Sequence, residues 1–528
     1  MAGTPPKIRR STAGVALLLA VVAAPAAPAL AEEKRGDVDI CYGEVSDAPA
    51  GDILAACSRI IATPRRGQAD LATAHNNRGA LLLKAGQLGL AIEDFSAASA
   101  LRPESAMAFS NRGEAYRLQG DTKKAIADQD RAIELDPKLQ LGYLNRGAVY
   151  LGVGDYGRAI EDLSEAIRLN PYAASAYVNR GDAYRLSGDL AHALEDQDAA
   201  IRLNPRLPNA YVGRGWTLQA MGRPGAALTD FDRAIRLKPD MVDAYLGRAN
   251  VRQIEGDYQR ALEDQSIAVK LAPGLPMPMV NRGRLLQAVG RYDDAMADYE
   301  AALNLDPNLA AAYMGRAEVQ GAKGDLAKGL ADIETALRLD PISANAYADR
   351  GYFRDAQGDY AGAIEDFDAA IRLAPGFVRA YIARGLAFDA LGNVERGIQD
   401  QTAAIGLDPT NAAAFNNRCY EFALLGDSGR AVADCSQALA LRPGDPITLQ
   451  SRGYAYLRAG EPALAIADYD AALAVAPNLD AALFGRGIAH AAAGNRNQAA
   501  ADLAAARALN PGIDRDMAKI HIVAPADL

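Results

Sequence analysis

The chain has 528 residues, half of them apolar and few aromatic, with 56 Lys and Arg against 66 Asp and Glu. That length and apolar content suffice for a large buried core, and abundant Ala with few aromatics favours close-packed helices over sheets. The acidic balance argues against nucleic acid and anionic membrane surfaces as main partners.

The N-terminus has the order of an export leader. Lys7, Arg9 and Arg10 are basic, residues 13–24 are an apolar run, and Pro25 and Pro28 interrupt it. Ala29-Leu30-Ala31 then supplies small residues at the spacing of a signal-peptidase site. The run is shorter than the ~20 residues that span a bilayer. The expected organisation is a signal peptide over 1–31, cleaved after Ala31, with no stable membrane span afterwards.

Residues 32–71 become readable only by comparison with the periodic stretch on their C-terminal side. Prolines stand at 103, 137, 171, 205, 239, 273, 307, 341, 375, 409, 443, 477 and 511, always 34 apart. A fixed period of this size marks a stack of identical units. Thirteen copies fill residues 72–513, each counted by its arginine, from Arg78 in copy one to Arg486 in copy thirteen. Each copy reads as helix, turn, helix. In copy two, Ala108, Arg112, Gly113 and Ala115 lie in the first helix, and Gly120 marks the break. Ala125, Ile126, Asp128, Ala132, Ile133 and Leu135 lie in the second helix, which Pro137 stops. Residues 514–528 form a C-terminal tail.

The small residues Gly113, Ala125 and Ala132, followed by Pro137, resemble the tetratricopeptide repeat (TPR) pattern, as does the aromatic residue that opens most copies (Phe109, Tyr143, Tyr177). The resemblance implies an all-α solenoid, a right-handed superhelix of antiparallel helix pairs. The chain departs from the pattern at one place. Arginine replaces the apolar residue before the first-helix glycine in every copy.

An aspartate is equally regular, from Asp94 to Asp502. In copy four, Arg180 stands eight residues before the turn Gly188 and Asp196 eight after it. Equal distances from the turn of a helical hairpin mean equal heights, so the two side chains can meet between the helices. Arg112 with Asp128, Arg146 with Asp162, and Arg180 with Asp196 are expected structural ion pairs. A contact from Asp to the Arg of the following copy is the competing geometry. A pair repeated in every copy is not an active site, which is made once.

The four cysteines obey the same ruler. Cys419 stands seven residues before turn Gly426 and Cys435 nine after it. A Cys419–Cys435 bond across the hairpin is expected in an exported protein. "CYGEVSDAPAGDILAACS" at 41–58 aligns with "CYEFALLGDSGRAVADCS" at 419–436. Residues 34–67 therefore read as a degenerate N-terminal half-cap, with a displaced Gly51-Asp52 turn signal and a Cys41–Cys57 bond. Metal ligation by these cysteines is the alternative, and no histidine cluster accompanies it.

No constellation for catalysis emerges. His75, His192, His490 and His521 are scattered, no Lys precedes Ser or Thr as a phosphate loop requires, and "GVGDYG" at 152–157 contains the turn Gly154. No enzyme activity, cofactor or metal is expected.

What remains is surface. By resemblance, the first helices line the concave side. The position two before Arg holds Leu144, Val178, Val212, Leu246, Val280 and Met314, an apolar stripe, and the position two after Arg adds Trp216 and Tyr352. These are the candidate partner-binding residues, and packing between helices is the competing use for them. The expected function is a non-catalytic scaffold, periplasmic or secreted, that binds protein or peptide segments. The alternative is an assembly part of an envelope machine exporting polysaccharide or outer-membrane protein.

Overall fold

The structure, a computed structural model, describes residues 35–43, 48–63 and 66–526. The leader and its cleavage point lie outside these residues. Every regular element among the described residues is a helix. The chain divides into two compact units, one ending at Leu285 and the other beginning at Leu286, within the helix Pro276–Ala288.

Copy two shows how each hairpin is built. Its first helix, Ala106–Gln119, ends at Gly120 with φ 90°, and Asp121 caps the second helix, Thr122–Leu135, by accepting from the Lys124 amide. Gly120 and Asp121 donate their amides to the carbonyls of Arg117 and Tyr116. This closure needs a left-handed residue, which glycine adopts without steric cost. The turn glycine of every copy, Gly86 to Gly494, has positive φ. The small positions are equally forced. A β-carbon on Gly247 would lie 2.3 Å from the Phe231 ring, and one on Gly215 would lie 2.8 Å from it.

The residue after each Asp is the pivot of its hairpin. Phe95, Leu163, Phe231, Tyr299, Ile333, Phe367, Tyr469 and Leu503 are buried there. Gln129, Gln197, Gln265 and Gln401 replace them in four copies, also buried. Gln129 recovers one bond by donating to the Ser110 carbonyl at 2.8 Å.

In the first unit, Arg35–Tyr42 and Ala50–Ala62 form the N-terminal helix pair. The turn differs from the sequence expectation. Gly43 takes the positive φ, and Gly51 and Asp52 lie in the first turn of the second helix. Pro49 explains this. It cannot extend a preceding helix, and its carbonyl accepts the Asp52 amide that opens the new one. Cys41 and Cys57 are bonded across this pair, fully buried beside Ile60 and Ala74. Asn77 of copy one donates to the Cys41 carbonyl at 3.1 Å, which docks the pair on the array. In the second unit, Cys419 and Cys435 are bonded across copy eleven.

Within each unit, the first helices of successive copies touch one another, while the second helices make no comparable contact. Elements that approach on one side and spread on the other curve locally. The first-helix faces therefore lie on the inner side of that curvature.

Candidate functional site

The arginines form a ladder. Arg180 Nε and Nη2 donate to Asp196 Oδ2 and Oδ1, both at 2.8 Å. Arg112 holds Asp128 at 2.7 and 2.8 Å, and Arg146 holds Asp162 at 2.8 Å on both prongs. The partners thus belong to one hairpin. The carboxylates are buried, and the hydrogen bonds to them raise the affinity of each guanidinium for its proton. In most copies the ring three residues before the arginine lies under the guanidinium, as Tyr177 lies under Arg180 with 5.7 Å to the centroid. In copy one, His75 takes that position and shares Asp94 with Arg78, its Nδ1 2.8 Å from Oδ1.

Most of these arginines also have a third arm that sequence reasoning missed. Arg146 Nη1 donates to Asp130 of the preceding copy at 2.7 Å. Arg180 reaches Ser164 at 3.0 Å, Arg214 reaches Asp198 at 2.7 Å, and Arg486 reaches Asp470 at 2.7 Å. Each of these acceptors lies two residues after the preceding copy's Asp. The signal was present in the sequence. Every copy followed by another carries Ser, Thr, Asp or Glu there, and the last copy carries Ala504. Even the half-cap supplies Ser58 to Arg78, at 3.2 Å.

The candidate binding residues separate into two groups. Leu144, Val178, Val212 and Val280 are buried, with Val280 fully enclosed. Leu144, Val178 and Val212 are taken up in clusters that include second-helix residues, so packing uses most of their surface. Trp216, Leu246, Met314 and Tyr352 are half-buried. In the first unit, the Trp216 ring meets Phe231 edge-on, centroids 5.4 Å apart, and rests on a cluster containing Tyr211, Val212 and Leu218. In the second unit, Tyr352 lines a cleft of about 400 Å³ with Gln287, Glu318, Asp349, Phe353 and Arg379. Its hydroxyl donates to the Arg379 carbonyl at 3.3 Å. Leu386, at the equivalent position in the next copy, is 48% exposed.

A second feature absent from the sequence reading is a carboxyl pair in copies ten and eleven. Glu421 is fully buried where most other copies place Ala, Val or Leu. Gly397 stands where most copies have Ala, and Asp389 Oδ1 and Glu421 Oε1 lie within 3.0 Å of where its β-carbon would be. Both Glu421 oxygens are buried, with the Gln401 amide and the Asp389 carboxyl as the polar groups beside them. Burial, then the charge of Asp389, raises the proton affinity of Glu421, and burial raises that of Asp389. A proton held between the two carboxyls satisfies both.

Among the described residues, no group of three or more His, Cys, Asp or Glu could hold a metal. No helix among them is long and apolar enough to cross a membrane. Repeated hairpins locked by structural ion pairs, with their variable residues on the first-helix faces, define a helical-repeat binding scaffold. The Tetratricopeptide repeat signature matches residues 76–139, 144–208, 212–276, 319–378, 350–412 and 451–515, and a TPR repeat signature matches 283–324. The chain belongs to the tetratricopeptide repeat family. It is an all-α solenoid and a non-catalytic protein-interaction scaffold.

No curated protein matches the chain significantly. Among solved structures, the chain is similar to one titled as the crystal structure of the APC/C hetero-tetramer Cut9-Hcn1. Identity is 15%, coverage is 87% of this chain and 96% of that one, and the TM-score is 0.53. That likeness is one of fold. Yeast Tom70 aligns over 74% of this chain and 96% of its own at 17% identity, with a TM-score of 0.42.

Proposed function

We propose that this chain is an exported bacterial scaffold of the cell envelope, periplasmic or secreted, which captures apolar partner segments on its first-helix faces. The observation that carries the binding reading is Trp216, the sole Trp of the chain. Its ring is half-buried and braced edge-on by Phe231, so it is held rigid with part of its surface open. A braced, partly open aromatic ring is the form that binding hot spots commonly take. Leu246, Met314 and Tyr352 extend the same kind of surface in their own units. Val212 packs in the same cluster as Trp216 and supports its ring. The export reading is supported by the leader-like residues before Glu32 and by two hairpin disulfides, which persist in oxidising compartments.

The binding test is affinity isolation from envelope extract with the mature chain and with a Trp216→Ala, Leu246→Ser variant. The variant is expected to stay folded by circular dichroism and to lose the retained partner. Equal retention by the folded variant places the site elsewhere. N-terminal sequencing of the exported protein tests the leader, with Glu32 as the expected first residue. An intact Met1 terminus would refute export.

A further inference from the structure

The chain continues past the point where a terminal cap would suffice. Ile513–Ala518 is a short helix whose Ile513 and Met517 are buried against the hairpin of copy thirteen, Asp480–Ala492 and Arg496–Leu509. Covering that last hairpin is all that the end of a repeat array needs. His521 then takes φ 62°, the sole non-glycine in the left-handed region among the described residues. Ile522 closes the helix by donating to the Met517 carbonyl at 3.0 Å. Residues 522–525 run on without regular structure, with Ile522 buried, Val523 exposed and Ala524 half-buried. That alternation is typical of an extended segment lying with one side on a surface.

The surface it meets lies one copy further back than a cap requires. Tyr454, in the first helix of copy twelve (Pro446–Arg458), donates its hydroxyl to the Ile520 carbonyl at 2.7 Å. Tyr454 stands two residues after Arg452, the position that Trp216 and Tyr352 hold in their own copies. Its ring centroid is 5.8 Å from that of Tyr420, the same position in copy eleven. Ile488, the same position in copy thirteen, packs against the cluster that contains Ile522. The segment therefore lies on the residue set in which the variable surface side chains of this array reside.

We propose that Tyr420, Tyr454 and Ile488 form a groove for an extended segment with alternating aliphatic side chains. Residues 520–524 are its built-in occupant, and a partner segment of the same chemistry displaces them. The seated segment itself specifies that chemistry. A branched aliphatic side chain enters beside Tyr454, the next side chain points away, and a main-chain carbonyl accepts from the phenol. Left-handed backbone at His521, with the Ile522 amide on the Met517 carbonyl, closes the short helix and turns the segment back towards Tyr454. The adjoining surface is open at Leu386, which leaves room for a partner segment longer than the tail.

This inference rests on reading first-helix faces as binding surfaces, but its test lies wholly in the second unit and uses the chain's own segment. A chain ending at Ala518 keeps the short helix and lacks the occupant. A fluorescein-labelled peptide of residues 517–528 is titrated into both forms and followed by anisotropy. The truncated chain is expected to bind at least about tenfold more tightly than the intact one, whose groove is filled at high effective concentration. An Ile522→Ser peptide should lose binding, and Tyr454→Phe in the truncated chain should weaken it several-fold. The full chain carrying Ile522→Ser should capture the wild-type peptide without truncation. Hydrogen exchange reports folding of copies twelve and thirteen. If the truncated chain stays protected but binds no peptide, or if those copies lose protection on truncation, the segment is a cap and the proposal falls. Neither result bears on the Trp216 variant, which reports on the first unit alone.

Discussion

Arg180 and Asp196 meet as a two-pronged ion pair between the helices of copy four, while the remaining Arg180 nitrogen holds Ser164 of copy three. One side chain thus sets the register of its own hairpin and ties that hairpin to its neighbour. Replacing Asp196 by Ala leaves the guanidinium without its carboxylate. Loss of one partner from a fully buried pair costs roughly 3–5 kcal/mol. Arg180 keeps a fifth of its side chain exposed, which screens it, so about 2 kcal/mol is expected. Hydrogen exchange should show the loss confined to copies three and four, because solenoid contacts are between neighbours. Uniform loss across the first unit would contradict a local role.

The third arm predicts a different variant. Asp198 joins copy four to Arg214 of copy five at 2.7 Å, and its side chain is more exposed than that of Asp230. Asp198→Ala should cost under about 1 kcal/mol, as partly exposed pairs do. Its effect should fall on the coupling between copies and broaden the denaturant transition. A double-mutant cycle with Arg214→Gln measures that coupling, and a zero interaction term would remove the arm from the account.

Each disulfide closes a short loop between residues 16 apart. Loop-closure entropy for that length corresponds to about 3 kcal/mol. Reduction should therefore destabilise the N-terminal pair and copy eleven and leave copies two to six largely unaffected. Peptide mapping without reduction is expected to recover 41 with 57 and 419 with 435. A cross-pair such as Cys57 with Cys419 would break the hairpin account.

The carboxyl pair predicts an inverted pH response. Asp389 and Glu421 hold a proton more tightly when folded than when unfolded, Asp389 through burial and Glu421 through burial and the charges of Asp389 and Asp400. The folded state then binds more protons than the unfolded one above the ordinary carboxyl range. Stability falls as pH rises, by up to about 1.4 kcal/mol per pH unit for each proton held. The contribution is fully present below about pH 4, where both states are protonated. Urea unfolding of the second unit should show a higher midpoint at pH 5 than at pH 8. Glu421→Gln should flatten that difference, and a wild-type midpoint that rises with pH would oppose it.

Much of this protein was legible in the sequence because its determinants are local and repeated. The 34-residue proline period, the turn glycines and the Arg-to-Asp spacing all act within one hairpin. There, helix geometry converts counting from the turn into height. Arg112 with Asp128 and Cys419 with Cys435 are side chains brought level in this way.

Tertiary structure alone decided how one hairpin meets the next. Periodicity assigns Leu144, Val212, Leu246 and Met314 to one stripe, yet packing in their own clusters buries the first two, and the others stay half-open. The packing of each copy on its neighbour also brings the third nitrogen of Arg146, Arg180 and Arg214 to the preceding copy. Residues that break the repeat were the least legible of all. Glu421 opposite Gly397, and Ile520 against Tyr454, meet across long separations that no period encodes, so only packing brings them together.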